Sequence, residues 1–299
     1  MDLNAFAAEI GGVDAGPVTV VGGRTQWDVG GRPDAGTREV RAPVGVVEHQ
    51  PAELTVRVRA GTRVTDLDAA LAEHGQFAAL PLHTHATVGG VLAVGHSSVK
   101  RLGHGPLRDT VLEIRFVNDA GHLVKAGGPV VKNVSGFDLC RLFVGSLGTL
   151  GLIGEVVLRC RPRPELSLWM RGRDIEVQAL SRSLFRPTAI LWDGQTTWLC
   201  LEGSAVDIAD QRAVADRLGS WEDVEGPPTP SPDWSRVSLR PSALARLAPP
   251  FLAQVGVGVV HVPGPVASVT LSPEVAEVHR RLKEAFDPGG RLNPGRRVS

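Results

Sequence analysis

Gly145-Ser146-Leu147-Gly148-Thr149-Leu150-Gly151-Leu152-Ile153 is an uncharged stretch in which glycine recurs every third residue. Backbone without side chains at that interval lets a flat apolar ring system, or a neighbouring strand, come into close contact. A free phosphate is a poor match to so neutral a surface. The pattern Gly-x-Gly-x-x-Gly is missing, and Arg171 stands where a Rossmann unit carries its acidic residue about 20 positions on. A nicotinamide-binding Rossmann domain is therefore disfavoured.

Two further glycine clusters lie upstream. In Val20-Val21-Gly22-Gly23-Arg24-Thr25 a glycine pair follows an apolar run, so backbone N–H groups can face a phosphate unobstructed, although ordinary turns share the pattern. In Ala86-Thr87-Val88-Gly89-Gly90-Val91-Leu92-Ala93, continuing to Gly95 and Ser97-Ser98, Thr87 supplies a hydroxyl beside a second glycine pair. The 299 residues contain 35 glycines, about 12% against a usual 7% or so. Of these, 24 fall in residues 1–163 and 13 between Gly89 and Gly154. Glycine clustered among apolar residues is backbone packed against a ligand or another strand, or a set of tight turns, and not a flexible linker.

Composition removes several function classes. Thirty-two basic residues balance 32 acidic ones, which argues against a nucleic-acid-binding protein, since that would be expected to show a basic face. No apolar run reaches 18 residues, and the first residues lack the basic and apolar regions of a signal peptide, so the chain is expected to be cytoplasmic. Cys140, Cys160 and Cys200 are widely separated, which predicts buried thiols and no zinc ribbon or iron–sulfur cluster held by this chain alone. Tyrosine is absent, so no phenolic base is available.

Periodicity predicts strands over 18–21, 54–59, 111–117, 122–125 and 152–160, a helix over 65–74 ended by Gly75, and a short helix over 138–144. Asn118-Asp119-Ala120-Gly121 reads as a hairpin loop. Beyond Arg161-Pro162-Arg163-Pro164 the pattern changes. Strands over 166–170, 189–192, 198–202 and 255–261 and helices over 175–184 and 206–218 follow in the order of a ferredoxin-like sandwich. A last helix starts at Ser272-Pro273 with Val275, Val278, Leu282 and Phe286 as its apolar face. The expected domains are 1–163, 164–271, and a tail 272–299 returning to the first.

Together these clusters resemble the vanillyl-alcohol oxidase, or PCMH-type, FAD-binding flavoproteins, and within them the FAD-binding E subunits of glycolate oxidase. The resemblance rests on Gly22-Gly23, on Ala86 to Gly90, and on Leu107-Arg108-Asp109. It rests also on the run from Val131-Lys132-Asn133-Val134-Ser135-Gly136-Phe137-Asp138 through Arg141-Leu142-Phe143-Val144-Gly145-Ser146, and on Phe286-Asp287-Pro288 with Leu292-Asn293-Pro294-Gly295-Arg296. It covers about 15–163 and 280–299 and is nearly silent over 164–270. It implies an α+β fold: a PCMH-type FAD-binding domain of two α+β subdomains, with a small ferredoxin-like α+β cap domain.

The same resemblance implies that Gly22, Gly23, Arg24 and Thr25 wrap the FAD pyrophosphate from one side, and Thr87, Val88, Gly89 and Gly90 from the other. Gly95, Ser97 and Ser98 would follow the ribityl chain or flavin edge. Gly148, Leu150, Gly151 and Ile153 would contact adenosine or the ring, and Asn293 would close over the active site. Asp109 joins the cofactor set or fixes the loop by a local ion pair. Arg24 replaces the family's usual third glycine, and no histidine stands in that loop, so the FAD is expected to be non-covalent. Members that oxidise 2-hydroxy acids carry a histidine-rich metal motif in the substrate domain; between 164 and 285 only His261 and His279 occur, as in E-type subunits.

Oxidation of an alcohol carbon needs a base for the hydroxyl proton. His96 and His104 are the weak candidates, with Asn293. His83 and His85 read as a metal pair, a base or plain loop residues, and Lys132 and Arg108 as structural or phosphate-side charges. Two functions result: an FAD-dependent oxidoreductase subunit acting on glycolate or a related 2-hydroxy acid, with a larger catalytic flavoprotein subunit and an iron–sulfur subunit as partners, or a non-catalytic assembly subunit that binds FAD weakly.

Overall fold

The computed structural model describes residues 1–128, 138–266 and 271–297. The motif from Val131 to Phe137, with Lys132, lies outside them. The chain divides into two compact units, one of Met1–Ser98, Leu107–Arg163 and Val269–Ser299, the other of Val99–Pro106 and Pro164–Ser268.

In the first unit α1 (Leu3–Ile10) is capped by the Asp2 carboxylate, which accepts from the Ala5 N–H, and buries Leu3, Phe6 and Ile10. Strands β1 (Val18–Val20) and β2 (Arg38–Val40) pair in parallel. On the other side of β1, Leu292 bridges to Val18, also in parallel, so the C-terminal tail extends this small sheet. Strands β3 (Val46–Gln50) and β4 (Thr55–Arg59), helix α2 (Val64–Ala72), strand β5 (Gln76–Ala78) and helix α3 (Val88–Val94) follow.

Helix α4 (Arg101–His104) belongs to the second unit, and the chain returns with the hairpin β6 (Val111–Val117) and β7 (Leu123–Gly127), α5 (Leu139–Phe143) and β8 (Leu152–Pro162). The larger sheet runs β3-β4-β8-β6-β7, with β5 on the end of β8. All these pairs are antiparallel, and β8 is buried at the centre from Leu152 to Leu158, with the buried Glu155 carboxylate paired to Arg57 and Arg59. The helix expected over 65–74 stops at Ala72, and Gly75 at φ +63 turns the chain away.

The second unit is a seven-stranded antiparallel sheet. Strand β9 (Leu166–Arg173), α6 (Val177–Ser183), β10 (Ala189–Trp192), β11 (Thr196–Gly203), α7 (Ala205–Asp216) and β12 (Trp221–Val224) pair in the order β12-β9-β11-β10, the ferredoxin-like arrangement. Its fourth strand is β12, and not the stretch 255–261 expected from sequence. That stretch is instead split. Gly256 and Gly258, both at φ +78, make a turn between β14 (Leu252–Gln254) and β15 (Val259–Pro263), which with β13 (Trp234–Ser238) widen the sheet beyond β10. Apolar residues alternating with glycine mimic a strand, but left-handed glycines supply a turn.

Residues 99–106 depart from the expected first domain. Val99 packs with the Trp169 cluster, Leu102 with the Met170 cluster, and the Gly103 N–H donates to Thr188 O at 3.1 Å, all within the second unit. Helix α8 (Pro273–Phe286) starts at Ser272, whose hydroxyl accepts from the Val275 N–H. Of its apolar face only Leu282 and Phe286 reach the first core; Val275 and Val278 are exposed. The three cysteines are buried and unpaired, and burial pushes their thiols up to about 11, 11 and 12.

Candidate cofactor site

A solvent-open cleft lies in the first unit, between the loop after β1, the start of α3, the end of β4 and the turn before β8. Gly22, Gly23, Arg24 and Thr25 form one wall, Thr87, Gly89 and Gly90 another, and Gly148, Ile153 and Asn293 the floor. Ten residues singled out from sequence thus converge. Gln26, Trp27, Leu147 and Arg296 also line it, and sequence reasoning had given none of them a role.

The first loop is an anion cradle in physical terms. Among the described residues nothing accepts from the N–H groups of Gly22, Gly23, Arg24 and Thr25, although the neighbouring Val21 N–H donates to Val40 O at 2.8 Å. Arg24 adopts φ +55, a left-handed conformation that favours glycine. Consecutive free amides with a left-handed residue among them make a concave array of donors suited to a phosphate. The Arg24 guanidinium is occupied, gripping both carboxylate oxygens of Glu39 at 2.6 Å. It also stacks on Trp27, at 5.1 Å from the ring centre, while Arg296 covers that ring at 4.4 Å. Burial lowers the pKa of Arg296 and Asp28 opposes that shift, so a desolvated cation stands beside the cradle.

The facing wall is a helix start. Thr87 is the N-cap of α3, its hydroxyl accepting from the Gly90 N–H at 3.2 Å. Glycine pairs are weak helix formers, so the local signal pointed to a loop. Tertiary packing decides otherwise: the Gly89 N–H donates to Ala60 O at 2.7 Å, and a Cβ there would lie 2.8 Å from the Ala60 Cβ. The floor is set by the tail. Asn293, 5% exposed and at φ +47, donates its N–H to Val18 O at 2.9 Å, and its side-chain oxygen accepts from the Thr19 hydroxyl.

Other expected contacts lie elsewhere. Val88, the first residue of α3, is fully buried, and its N–H donates to Thr62 O. Leu150 and Gly151 face the core, where Gly151 leaves room for the Phe116 and Phe143 rings. Gly95 ends α3 against the Gly145 backbone, Ser97 accepts from the Leu107 N–H at 3.0 Å, and Asp109 pairs with Arg141 at 2.9 Å. Ser98 closes the segment before the chain enters the second unit. His96 stays beside the cleft, its Nδ1 3.3 Å from Gln26 Nε2. His83 and His85 sit in the loop before α3, where the carbonyl of each serves the backbone: His83 O accepts from Ala86, and His85 O lies under Gly23.

His104 belongs to the second unit, where its Nε2 lies 2.6 Å from Glu202 Oε2 and Lys100 Nζ lies 2.5 Å from Glu202 Oε1. Burial pushes the Glu202 carboxyl up, but the hydrogen bonds and charges of His104 and Lys100 outweigh it and bring it down to about 2. A carboxyl held below its ordinary 4.5 stabilises the fold above that pH and loses the contribution as pH falls toward 2. Glu202→Gln is expected to cost roughly 3 kcal/mol at neutral pH and to flatten the acid limb between pH 4.5 and 2, read by urea unfolding across pH. Parallel acid limbs for both proteins would contradict this.

A cradle of free amides facing a capped helix start, on an antiparallel α+β framework closed by its own tail, defines a nucleotide-cofactor domain, and residues 14–127 match the FAD binding domain family. Residues 14–127 thus carry a PCMH-type FAD-binding domain. Glycolate oxidase subunit GlcE of Escherichia coli (strain K12) is 35% identical over 224 residues, which cover 71% of this chain and 62% of that protein. D-lactate dehydrogenase of Archaeoglobus fulgidus (strain ATCC 49558 / DSM 4304 / JCM 9628 / NBRC 100126 / VC-16) is 38% identical over 105 residues, 35% of this chain and 24% of that one. The chain thus spans less than two thirds of the length of either relative. An alkyldihydroxyacetonephosphate synthase structure shares the fold, with a TM-score of 0.70 at 15% identity over 93% of this chain and 72% of that one.

Proposed function

We propose that this chain is an FAD-dependent oxidoreductase subunit that takes part in oxidising glycolate or a related 2-hydroxy acid. It would work beside a larger catalytic flavoprotein subunit and an iron–sulfur subunit. The observation that carries the reading is the row of four unpaired amides from Gly22 to Thr25 lining the cleft. In this reading those amides and Arg296 hold the pyrophosphate, with Thr87 and Gly90 opposite. Val91, Val94, Leu147 and Ile153 give the ring system an apolar surface, and Asn293 fixes the floor. Bound FAD supplies a two-electron acceptor for the carbon bearing the hydroxyl. His96, beside the cleft through Gln26, is the candidate to receive the hydroxyl proton. The resemblance to a protein named as a subunit supports the partners, and the three separate, buried cysteines support a cluster held by another chain. Among the described residues no helix is long and apolar enough to cross a membrane.

One observation favours the second reading, an assembly subunit with weak FAD binding. Arg24 is committed to Glu39 and takes a left-handed backbone that costs a side-chain-bearing residue on the order of 1 kcal/mol. The visible spectrum of the purified full chain separates the two. A flavin spectrum that survives gel filtration, or appears on titration with FAD and bleaches anaerobically with glycolate or D-lactate once the partner subunits are present, is the expected result. A colourless protein that takes up no FAD sinks the first reading.

A further inference from the structure

In the second unit two arginines and a histidine stand near one another and, among the described residues, form no ion pair. Arg236 on β13 and His261 on β15 are register partners across an antiparallel pair, so their side chains leave the sheet on one face. Leu252 on β14 is the next partner in that row and is buried with Trp169 and Leu191. That face is the one turned away from α6 and α7, whose residues Leu180 and Ile208 pack with Ile190 and Leu199 on the opposite side.

Arg101, from the 99–106 segment, brings a second guanidinium close. Burial lowers the pKa of Arg236 and the charge of Arg101 lowers it further, while burial and the charge of Arg236 lower that of His261. Among the described residues no carboxylate lies within ion-pair distance of any of the three, although 18 ion pairs are formed elsewhere. A guanidinium cannot shed its proton to relieve this repulsion, and burial weakens the screening that water would give. What relieves it is an anion, and the planar fork of a guanidinium matches a carboxylate.

We propose that Arg101, Arg236 and His261 form an anion site in the second unit that takes a small carboxylate. Arg236 is the central ligand, His261 its neighbour across the strand pair, and Arg101 the cap from α4. For the ligand's identity as the carboxylate end of a 2-hydroxy acid, the site rests on the function proposed above; for its charge and size it does not. Trp234, two residues from Arg236 on the same strand and face, provides a built-in reporter.

Isothermal titration and tryptophan fluorescence of the full chain with glycolate, D-lactate, inorganic phosphate and methyl glycolate test the site without any flavin readout. Saturable binding of the two carboxylates, none of the uncharged ester, and at least tenfold weaker binding in Arg236→Gln are expected. The thermal midpoint of that variant should hold or rise, because repulsion is removed; a merely structural arginine would lower it and leave binding unchanged. Arg101→Gln, on a different element, repeats the binding test should the first variant fold poorly. Carboxylates that do not bind, that bind both variants as they bind the natural chain, or that bind more weakly than phosphate overturn the proposal. Carboxylate binding without flavin bleaching keeps the anion site and rejects the 2-hydroxy-acid oxidation instead.

Discussion

Gly23→Val is expected to lower FAD affinity by about ten- to a hundredfold and to destabilise the first unit by about 1–3 kcal/mol. A Cβ at Gly23 would fall on the carbonyl of His85. Both partners are backbone, so no flexible side chain can swing away, and the two walls of the cleft must separate. That separation moves the amides of Gly22 to Thr25 away from the start of α3, which the cradle needs opposite it. Gly226→Ala is the control, because a Cβ there meets nothing within 4 Å. Fluorescence quenching of FAD and urea unfolding of both variants measure the two effects. Unchanged FAD affinity in Gly23→Val would show that the cofactor does not depend on this wall.

This clash also changes what the glycine excess means. From sequence the clusters look like backbone waiting for a ligand. In the structure the space beside Gly23, Gly89 and Gly151 is filled by the protein: by His85, by Ala60, and by the Phe116 and Phe143 rings. Glycine there lets the walls of the cleft close on each other, and the cradle is what their approach leaves. Gly22 to Thr25, Thr87 and Asn293 were legible because a linear motif carries them. The contact of Trp27 with Arg296 was not, since it is made across 269 positions of chain and Trp27 stands in no motif, although Arg296 belongs to the same closing motif as Asn293. The helix at Thr87 was hidden for a related reason: its glycines oppose helix locally and are required by packing. The ferredoxin-like order was readable from alternation, but its last strand was misplaced because Val-Gly repeats imitate an extended run. The departure of 99–106 into the second unit left no compositional trace at all.

Asp287→Ala is expected to cost about 3–5 kcal/mol, a large share of the roughly 5–15 kcal/mol that holds a domain folded. Asp287 is 2% exposed, and its two carboxylate oxygens accept from the Arg291 N–H at 3.0 Å, from the Leu292 N–H at 2.9 Å and from Lys283 Nζ. Removing the carboxylate leaves two buried amides without their acceptor and strips the Lys283 ammonium, which keeps the Thr149 and Leu292 carbonyls, of its counter-charge. The damage spreads because the tail is a clasp. Arg291, 4% exposed, donates to the carbonyls of Ile10, Gly11, Gly16 and Asp119, joining α1, the approach to β1 and the β6–β7 loop. Leu292 and Asn293 then pair with Val18, and Asn293 sets the cleft floor. Loosening the turn at Asp287 therefore frees the floor as well, so FAD affinity should fall together with stability. Asp287→Asn, which keeps the volume and one acceptor oxygen, should lose less of both. Urea unfolding with a parallel FAD titration reads the pair, and a loss under 1 kcal/mol for the alanine variant would mean that the tail docks independently of this carboxylate. Such independence would leave Asn293 held only by Val18 and Thr19, and the cleft floor would then follow the stability of β1 rather than that of α8.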